Sequence, residues 1–197
     1  MIAADLHGVR TILAIIADGG VGVRASDGKV MWRDRRAPAG DGNMATPVVL
    51  NNQVLYAYSS GLALLGVNLD HGSLAARQIY LSTDLGVQWG GVLHINGYLY
   101  AFNGAGLMCL DAASGKTVWR SRSVSVGALT YADDHLYLLS KDFVVALAEA
   151  SPAAYRETGR FTIAETPTPA FAHPVVAGGR LYIRNEGTLT VYDIKGK

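Results

Sequence analysis

The sequence predicts an all-β protein, a β-propeller made of four-stranded antiparallel blades. Two observations carry this prediction. A strand containing Leu-Tyr recurs at a period close to that of propeller blades, and turn residues separate short apolar runs at intervals of about 8 to 12 residues. The 23 glycines of the 197-residue chain are typical of a protein with many tight turns. A helical fold is excluded because such spacing leaves no room for several helical turns.

The repeat gives the number of blades. Its Leu-Tyr strand aligns Leu13, Tyr56, Tyr100, Tyr137 and Tyr182, with spacings of 43, 44, 37 and 45 residues. Propeller repeats have periods of about 40 to 50 residues. We therefore expect about four complete blades and a partial fifth, which either close as a small ring with an imperfect last blade or, the alternative we favour, form the C-terminal part of a larger ring. The expected blades cover residues 1–36, 44–82, 89–122, 125–164 and 171–197.

Each unit follows one order of strands. An apolar first strand is followed by a two-residue turn, the Leu-Tyr second strand, a polar or glycine turn and a third strand. The fourth strand begins at a Gly-Lys turn. Turns such as Asn96-Gly97 tolerate positive φ and close tight hairpins. Only residues 146–157 have a composition suited to a helix, and Pro152 interrupts them, so we predict a connection between a third and a fourth strand there.

Composition narrows the classes of partner. The net charge of +1 provides no long-range field for nucleic acid or an anionic membrane surface, and no run approaches the roughly 18 apolar residues of a membrane span. A lone cysteine, Cys109, excludes an internal disulfide and a cysteine-based metal cluster. The apolar run at 11–17 is too short for an export signal and Asp5 precedes it, so no targeting signal is visible.

Two stretches share one pattern, CLDAASGKTVWR at 109–120 and GVRASDGKVMWR at 22–33. In both, glycine serves a tight turn, and a small polar residue hydrogen-bonds the backbone of that turn. The Trp ring is expected to pack on the neighbouring blade while its indole N–H donates to a backbone carbonyl. The predicted blade-docking residues are Gly28, Trp32, Asp111, Gly115 and Trp119.

This pattern resembles the repeat of the PQQ-like, or quinoprotein-type, propellers, which has the form Ala-x-Asp-x-x-Thr-Gly-Lys-x-x-Trp. Here Cys109 replaces the Ala and Ser114 replaces the Thr, while the second unit keeps Gly72 and has Ala76 at the Trp position. The resemblance implies three branches: quinone-dependent alcohol dehydrogenases, BamB-like scaffolds of outer-membrane protein assembly, and repeat proteins without an assigned activity. It also implies an exported or periplasmic location, and PQQ with Ca²⁺ in the dehydrogenase branch only.

The candidate ligand site lies in the loops that join the fourth strand of one blade to the first strand of the next, which gather around the central channel. Trp89 is outside the Gly-Lys-x-x-Trp pattern and could stack on a sugar or a quinone, or pack between blades. His173 could act as a ligand or general base, or simply hydrogen-bond an inner strand. Asn43 and Gln88 are further candidates.

Three functions remain open from the sequence. The first hypothesis is a non-catalytic binding or scaffolding module that holds a protein or small ligand at the channel face, or a partner strand at an open sheet edge. The alternative is a fragment of a PQQ-dependent alcohol dehydrogenase, and the third is a sugar-binding propeller. We predict no catalytic residue and no metal ligand. Open blade edges also suggest self-association.

Overall fold

The computed structural model describes residues 1–35, 44–87 and 89–195. Within these residues the chain forms 19 β-strands in five antiparallel sheets and no helix, which confirms the predicted all-β propeller with four four-stranded blades and a three-stranded fifth. The first blade contains β1 (Ile2–Leu6), β2 (Val9–Ile16), β3 (Gly19–Arg24) and β4 (Val30–Asp34), and the second contains β5 (Val48–Leu50), β6 (Gln53–Tyr58), β7 (Gly61–Asp70) and β8 (Ser73–Ser82).

The remaining three sheets repeat the same order. The third blade contains β9 (Leu93–Ile95), β10 (Tyr98–Asn103), β11 (Gly106–Asp111) and β12 (Thr117–Ser121). The fourth contains β13 (Gly127–Ala132), β14 (His135–Ser140), β15 (Val144–Glu149) and β16 (Glu157–Thr162), and the fifth contains β17 (Val175–Ala177), β18 (Arg180–Asn185) and β19 (Thr188–Asp193).

Positive backbone dihedrals close the hairpin between the first and second strands of every blade. Asn51 has φ of 56° and Asn96 has φ of 48°, and the following Gly97 has φ of 84°. Asp133 and Asp134 both lie in the same left-handed region. These short polar residues adopt that region at low cost, so the turn sequence fixes where each hairpin closes.

Blades are joined by apolar side chains from facing sheets, because successive residues of a strand point to opposite faces. Between the third and fourth blades, Phe102 and Leu107 meet Leu136 and Leu138, all buried. Comparable clusters lie between the first and second, second and third, and fourth and fifth blades. Sheet faces are therefore apolar on both sides in the middle of the chain.

A register shift recurs where the fourth strand pairs with the third. In the third blade it falls between Cys109, which pairs with Trp119, and Leu110, which pairs with Thr117. Val118 is therefore the extra residue of a bulge. The first, second and fourth blades have the same irregularity, so the residue before this shift marks equivalent positions in different blades.

Exposure is highest in the fifth sheet. In β19, Leu189 is 62% exposed and Val191 is 45% exposed. In the described residues, no helix has the length and apolar character of a membrane span.

Candidate functional site at the channel face and the blade joints

A wide pocket of about 860 Å³ opens at the channel face. Residues of β5, β9 and β13 and of the loops that precede β5, β9 and β17 line it. The loops that join the fourth strand of one blade to the first strand of the next thus lie together around this pocket. Its side chains are mainly apolar and aromatic, with Met44, Trp89, Tyr131, Phe171 and His173 among them.

Trp89 is half-buried and packs against the core cluster between the third and fourth blades. Its ring contacts Phe171, with centroids 5.3 Å apart and planes at 35°. The next residue, Gly90, has φ of +79°, and a Cβ there would collide with the backbone oxygen of Gly127. Close approach to β13 therefore positions the Trp89 ring at the pocket wall, with one part in the core and one part on the pocket.

His173 is exposed and lies just before β17. Its Nδ1 is 3.3 Å from the Leu129 carbonyl oxygen of β13. Since a carbonyl only accepts, Nδ1 is the protonated nitrogen in this contact. Within the described ranges, no hydrogen bond engages the Nε2 of His173. Asn43 and Gln88, the other two predicted ligand residues, lie outside the described residues.

Three large, exposed side chains of the pocket were not among the sequence predictions: Met44, Tyr131 and Phe171. Met44 is 59% exposed, Phe171 44% and Tyr131 37%. The Tyr131 hydroxyl donates to Asp134 Oδ1 at 2.8 Å, which ties that side chain to the turn after β13. The sequence does show large apolar residues shortly before or within a first strand. Such residues did not predict a pocket, because each would also suit burial between two blades.

At the joint between the third and fourth blades, Trp119 contacts two aromatic rings. Its ring centroid lies 6.0 Å from that of Tyr100 and 6.0 Å from that of Tyr155. Its indole N–H donates to the Ser151 carbonyl oxygen at 3.0 Å. Ser151 belongs to the connection between β15 and β16, so this Trp joins two blades with both an apolar ring and a hydrogen bond.

A polar clasp lies beside Trp119. The Tyr155 hydroxyl donates to Glu157 Oε2 at 2.6 Å, and Arg160 Nε donates to Glu157 Oε1 at 2.6 Å. Ser123, just beyond β12, donates to the same carboxylate and accepts from Arg160. The Arg160 hydrogen bonds, with those of Tyr155 and Ser123, lower the pKa of Glu157 to about 2 against the cost of burial.

Trp32 occupies the equivalent joint between the first and second blades, but with a different partner. Its indole N–H donates to the Tyr56 hydroxyl at 3.2 Å, so the predicted backbone carbonyl is wrong here. Tyr56 in turn donates to the Val21 carbonyl at 3.0 Å. A second buried tyrosine, Tyr58, donates to Asp34 Oδ2 at 2.9 Å. The Tyr56 hydroxyl therefore lies between the Trp32 indole and the main chain, where the sequence had predicted a direct hydrogen bond to a carbonyl.

The Gly-Lys turn of the third blade is closed by Asp111. The Ser114 backbone N–H and hydroxyl both donate to Asp111 Oδ1, at 2.8 and 2.6 Å, and these bonds lower the pKa of that carboxyl. Gly115 has φ of +68°, and a Cβ there would lie 2.5 Å from the Tyr80 ring of the second blade. At Gly28, with φ of +73°, no described atom lies within 4 Å of that position.

The second blade corrects the alignment of the repeat. Tyr80, which pairs with Leu64 just before the register shift, holds the position that Trp32 and Trp119 hold elsewhere. The predicted Ala76 instead pairs with Val67, beyond the shift. The Tyr80 hydroxyl donates to the Ala112 carbonyl at 3.1 Å, and burial raises its pKa to about 12. Additional residues in β7 and β8 displaced the sequence alignment by four positions.

Comparison with known families decides the classification. Residues 81–196 match the sequence profile of a family described as outer membrane protein assembly factor BamB, which is more than half of the chain. The chain belongs to this BamB family. No curated protein matches the chain.

Solved structures show the same fold as the BamB family profile. BamB from Moraxella catarrhalis superposes with a TM-score of 0.70 at 19% identity, covering 97% of this chain and 57% of that one. The designed protein Ika8 gives 0.66 at 9% identity, covering 93% and 55%. Citrobacter koseri AztD gives 0.60 at 13% identity, covering 98% and 56%. At these identities the likeness concerns the fold, and the chain spans a little over half of each protein.

The metal that the dehydrogenase branch implies would need a cluster of ligating side chains. No group of three or more His, Cys, Asp or Glu side chains within the described ranges is arranged to hold a metal ion. The carboxylates of Asp111 and Glu157 are engaged by their own turn and clasp.

Proposed function

We propose that this chain is a protein-binding module whose channel-face pocket holds an apolar segment of a partner protein. The observation that carries the proposal is the group formed by the exposed Met44, Tyr131 and Phe171 and the half-buried Trp89 around one open pocket. Aromatic residues and methionine are enriched in protein interfaces, where a few such side chains supply most of the binding energy.

The shape of the pocket supports a peptide segment as its occupant. The inner strands β5, β9 and β13 provide a shared wall, and the loops above them provide the aromatic rings. Phe171 covers part of the Trp89 ring, so a ligand ring could replace or extend an existing aromatic contact. His173 Nε2 and the Tyr131 hydroxyl offer polar groups at the rim.

The family description suggests the class of partner. An assembly factor for outer-membrane proteins meets chains whose strands alternate apolar and polar residues, with aromatic girdles at both ends. We propose that the pocket binds such a segment before it enters a membrane barrel, with the chain acting as a scaffold in the periplasm. A partner of this kind requires no bound cofactor.

A synthetic peptide tests this function. A fluorescent twelve-residue peptide with strict alternation of Tyr or Val with Thr or Gln is titrated with the full chain, and polarisation is recorded. Saturable binding is expected, and Phe171→Ala should weaken it about tenfold, since truncating an interface aromatic commonly costs that much.

Matched controls make the result specific. Leu189→Ala removes another exposed apolar side chain, in the fifth blade, and should leave affinity unchanged. A peptide of the same composition with its apolar residues in one block should bind more weakly. Absence of saturable binding, or equal affinity for the wild type and Phe171→Ala, would remove the channel face as the binding site.

A further inference from the structure

The second blade carries a β-ribbon that the other blades lack. Past the register shift, β7 and β8 pair at Leu65 with Gln78 and then at five further positions, from Gly66 with Arg77 to Asp70 with Ser73. In the third blade the equivalent strands end at the pair Leu110 with Thr117. At about 3.4 Å per residue, the five extra pairs extend the hairpin by roughly 17 Å. We call residues 66–77 the ribbon.

One face of the ribbon is held against the first blade. Val67 and Leu74 are each 2% exposed and belong to the cluster between the first and second blades. His7, in the turn between β1 and β2, lies 2.7 Å through Nε2 from the Val67 carbonyl oxygen, so Nε2 is the donor. The His7 backbone N–H donates to Asn52 Oδ1 at 3.0 Å. These contacts fix the base of the ribbon.

The ribbon also borders an open groove of about 760 Å³, whose lining includes His7 and Val67 at the base of the ribbon. Arg77, Asn68 and Ile79 lie along one side of this ribbon groove, and His94 and the turn at Ala112-Ala113 lie along the other. The first-to-second-strand turn of the second blade forms its floor. The groove therefore runs between two blades on the face opposite the fourth-to-first loops.

The lining combines carboxamides with one permanent charge. Carboxamide side chains each offer a donor and an acceptor, as a peptide backbone requires. Among the residues that the structure describes, no carboxylate lines the groove. The carboxamide residues of the lining are Asn51, Asn52, Gln53, Asn68 and Gln78.

Arg77 is the permanent cation of this lining, and its side chain is exposed. Within the described part of the chain, no hydrogen bond or ion pair engages its guanidinium, in contrast with Arg24 and Arg160, which pair with Asp27 and Glu157. Asp70 shares the ribbon face but lies at its tip, next to His71. An arginine without a carboxylate partner can bind one from another molecule through two parallel hydrogen bonds.

We propose that the ribbon groove binds an extended acidic peptide segment of a partner protein. A carboxylate of that segment binds the Arg77 guanidinium, and its backbone hydrogen-bonds the carboxamides along the floor. This site is separate from the channel-face pocket and does not depend on the function proposed for it. A peptide fits better than a small anion because the groove offers one cation at one side and several neutral donor–acceptor groups along its length.

Selection from a random library tests this proposal without assuming a sequence. Phage-displayed decapeptides are panned on the full chain, and the enriched peptides are synthesised and titrated by fluorescence polarisation. Peptides with Asp or Glu at one preferred position are expected. Arg77→Glu should raise their Kd about tenfold or more, because the charge at the contact is reversed. Arg122→Glu reverses another exposed arginine, outside the groove, and should leave Kd within about twofold.

Other results separate or overturn the interpretation. Phe171→Ala should leave the binding of acidic peptides intact, so failure of the channel-face proposal would not affect this one. Enriched peptides that lack acidic residues, no enrichment at all, or equal affinity for Arg77→Glu would each overturn the proposal. Concentration-dependent size-exclusion mass that is abolished by Arg77→Glu would instead identify a second copy of this chain as the occupant. Arg77→Glu is expected to fold, since exposed substitutions usually change stability by less than about 0.5 kcal/mol.

Discussion

The second and third blades are neighbours, but the hairpin between their third and fourth strands differs in length and in what it contacts. The third blade closes β11 and β12 with a compact Gly-Lys turn, and the second extends β7 and β8 into the ribbon. Each still places an aromatic residue, Trp119 or Tyr80, before the register shift and packs it on the following blade. In these two blades the docking residue keeps its position while the hairpin beyond it differs in length.

Trp119→Ala should have the largest effect on stability. It removes contacts with Tyr100 and Tyr155 and the hydrogen bond to Ser151, and large-to-small aromatic substitutions cost about 3 to 5 kcal/mol in cores. Because the ring is only half-buried, we expect about 3 kcal/mol in the free energy of unfolding, measured with urea. Trp119→Phe keeps most of the ring contacts and should cost about 1 kcal/mol. Equal losses for both variants would show that the hydrogen bond dominates this joint.

Comparing the stability losses of Gly115→Ala and Gly28→Ala separates the cost of backbone strain in the turn from the cost of a clash between blades. Both residues have positive φ, which costs an L-residue about 1 kcal/mol. Only at Gly115 would the new Cβ meet the Tyr80 ring. We expect a loss of about 2 to 3 kcal/mol for Gly115→Ala and about 1 kcal/mol for Gly28→Ala. Tyr80→Ala combined with Gly115→Ala should lose less than the sum of the two single losses, and strict additivity would contradict the proposed clash.

Glu157→Gln tests the polar clasp through pH. The pKa of Glu157 is about 2 in the folded protein and ordinarily 4.5, so its ionised form stabilises the fold above pH 4.5 and this contribution is lost as pH falls through 2. At pH 7 the variant should be less stable by about 1 kcal/mol, given partial solvent screening of the pair. The difference from wild type, measured by urea unfolding, should shrink steadily between pH 4.5 and 2. A constant difference across that range would exclude the carboxylate as its source.

His7→Ala should have the smallest global effect and a local one on the ribbon. Without the imidazole, the Val67 carbonyl loses its partner and the base of the ribbon loosens. Amide hydrogen exchange of residues 68–74 should accelerate severalfold, while the overall unfolding midpoint changes little. His135→Ala, at the corresponding hairpin of the fourth blade, is the control and should leave ribbon exchange unchanged. Unchanged ribbon exchange in His7→Ala would show that Val67 and Leu74 alone hold the ribbon.

The channel-face pocket could be predicted only in part. Trp89 was identifiable because it falls outside the Gly-Lys-x-x-Trp pattern, and it does line the pocket. Met44 and Phe171 could not be identified in this way. The sequence does not distinguish a large apolar loop residue that points to solvent from one that packs between two blades. The ribbon groove could not be predicted at all, because its two sides are the ribbon and the turn at Ala112-Ala113, which only blade packing brings together.

The sequence by itself determined the fold class, the strands of each hairpin and the turns that close them. These features are local: positive φ at residues such as Asn96 and the period-two pattern of a strand depend on neighbours in the chain. Tertiary structure decided which aromatic residue reaches the next blade, why Gly115 has no space for a side chain, and which surfaces form a groove. Those outcomes depend on how closely two sheets approach, and a four-residue displacement in one hairpin was enough to hide Tyr80 from the sequence pattern.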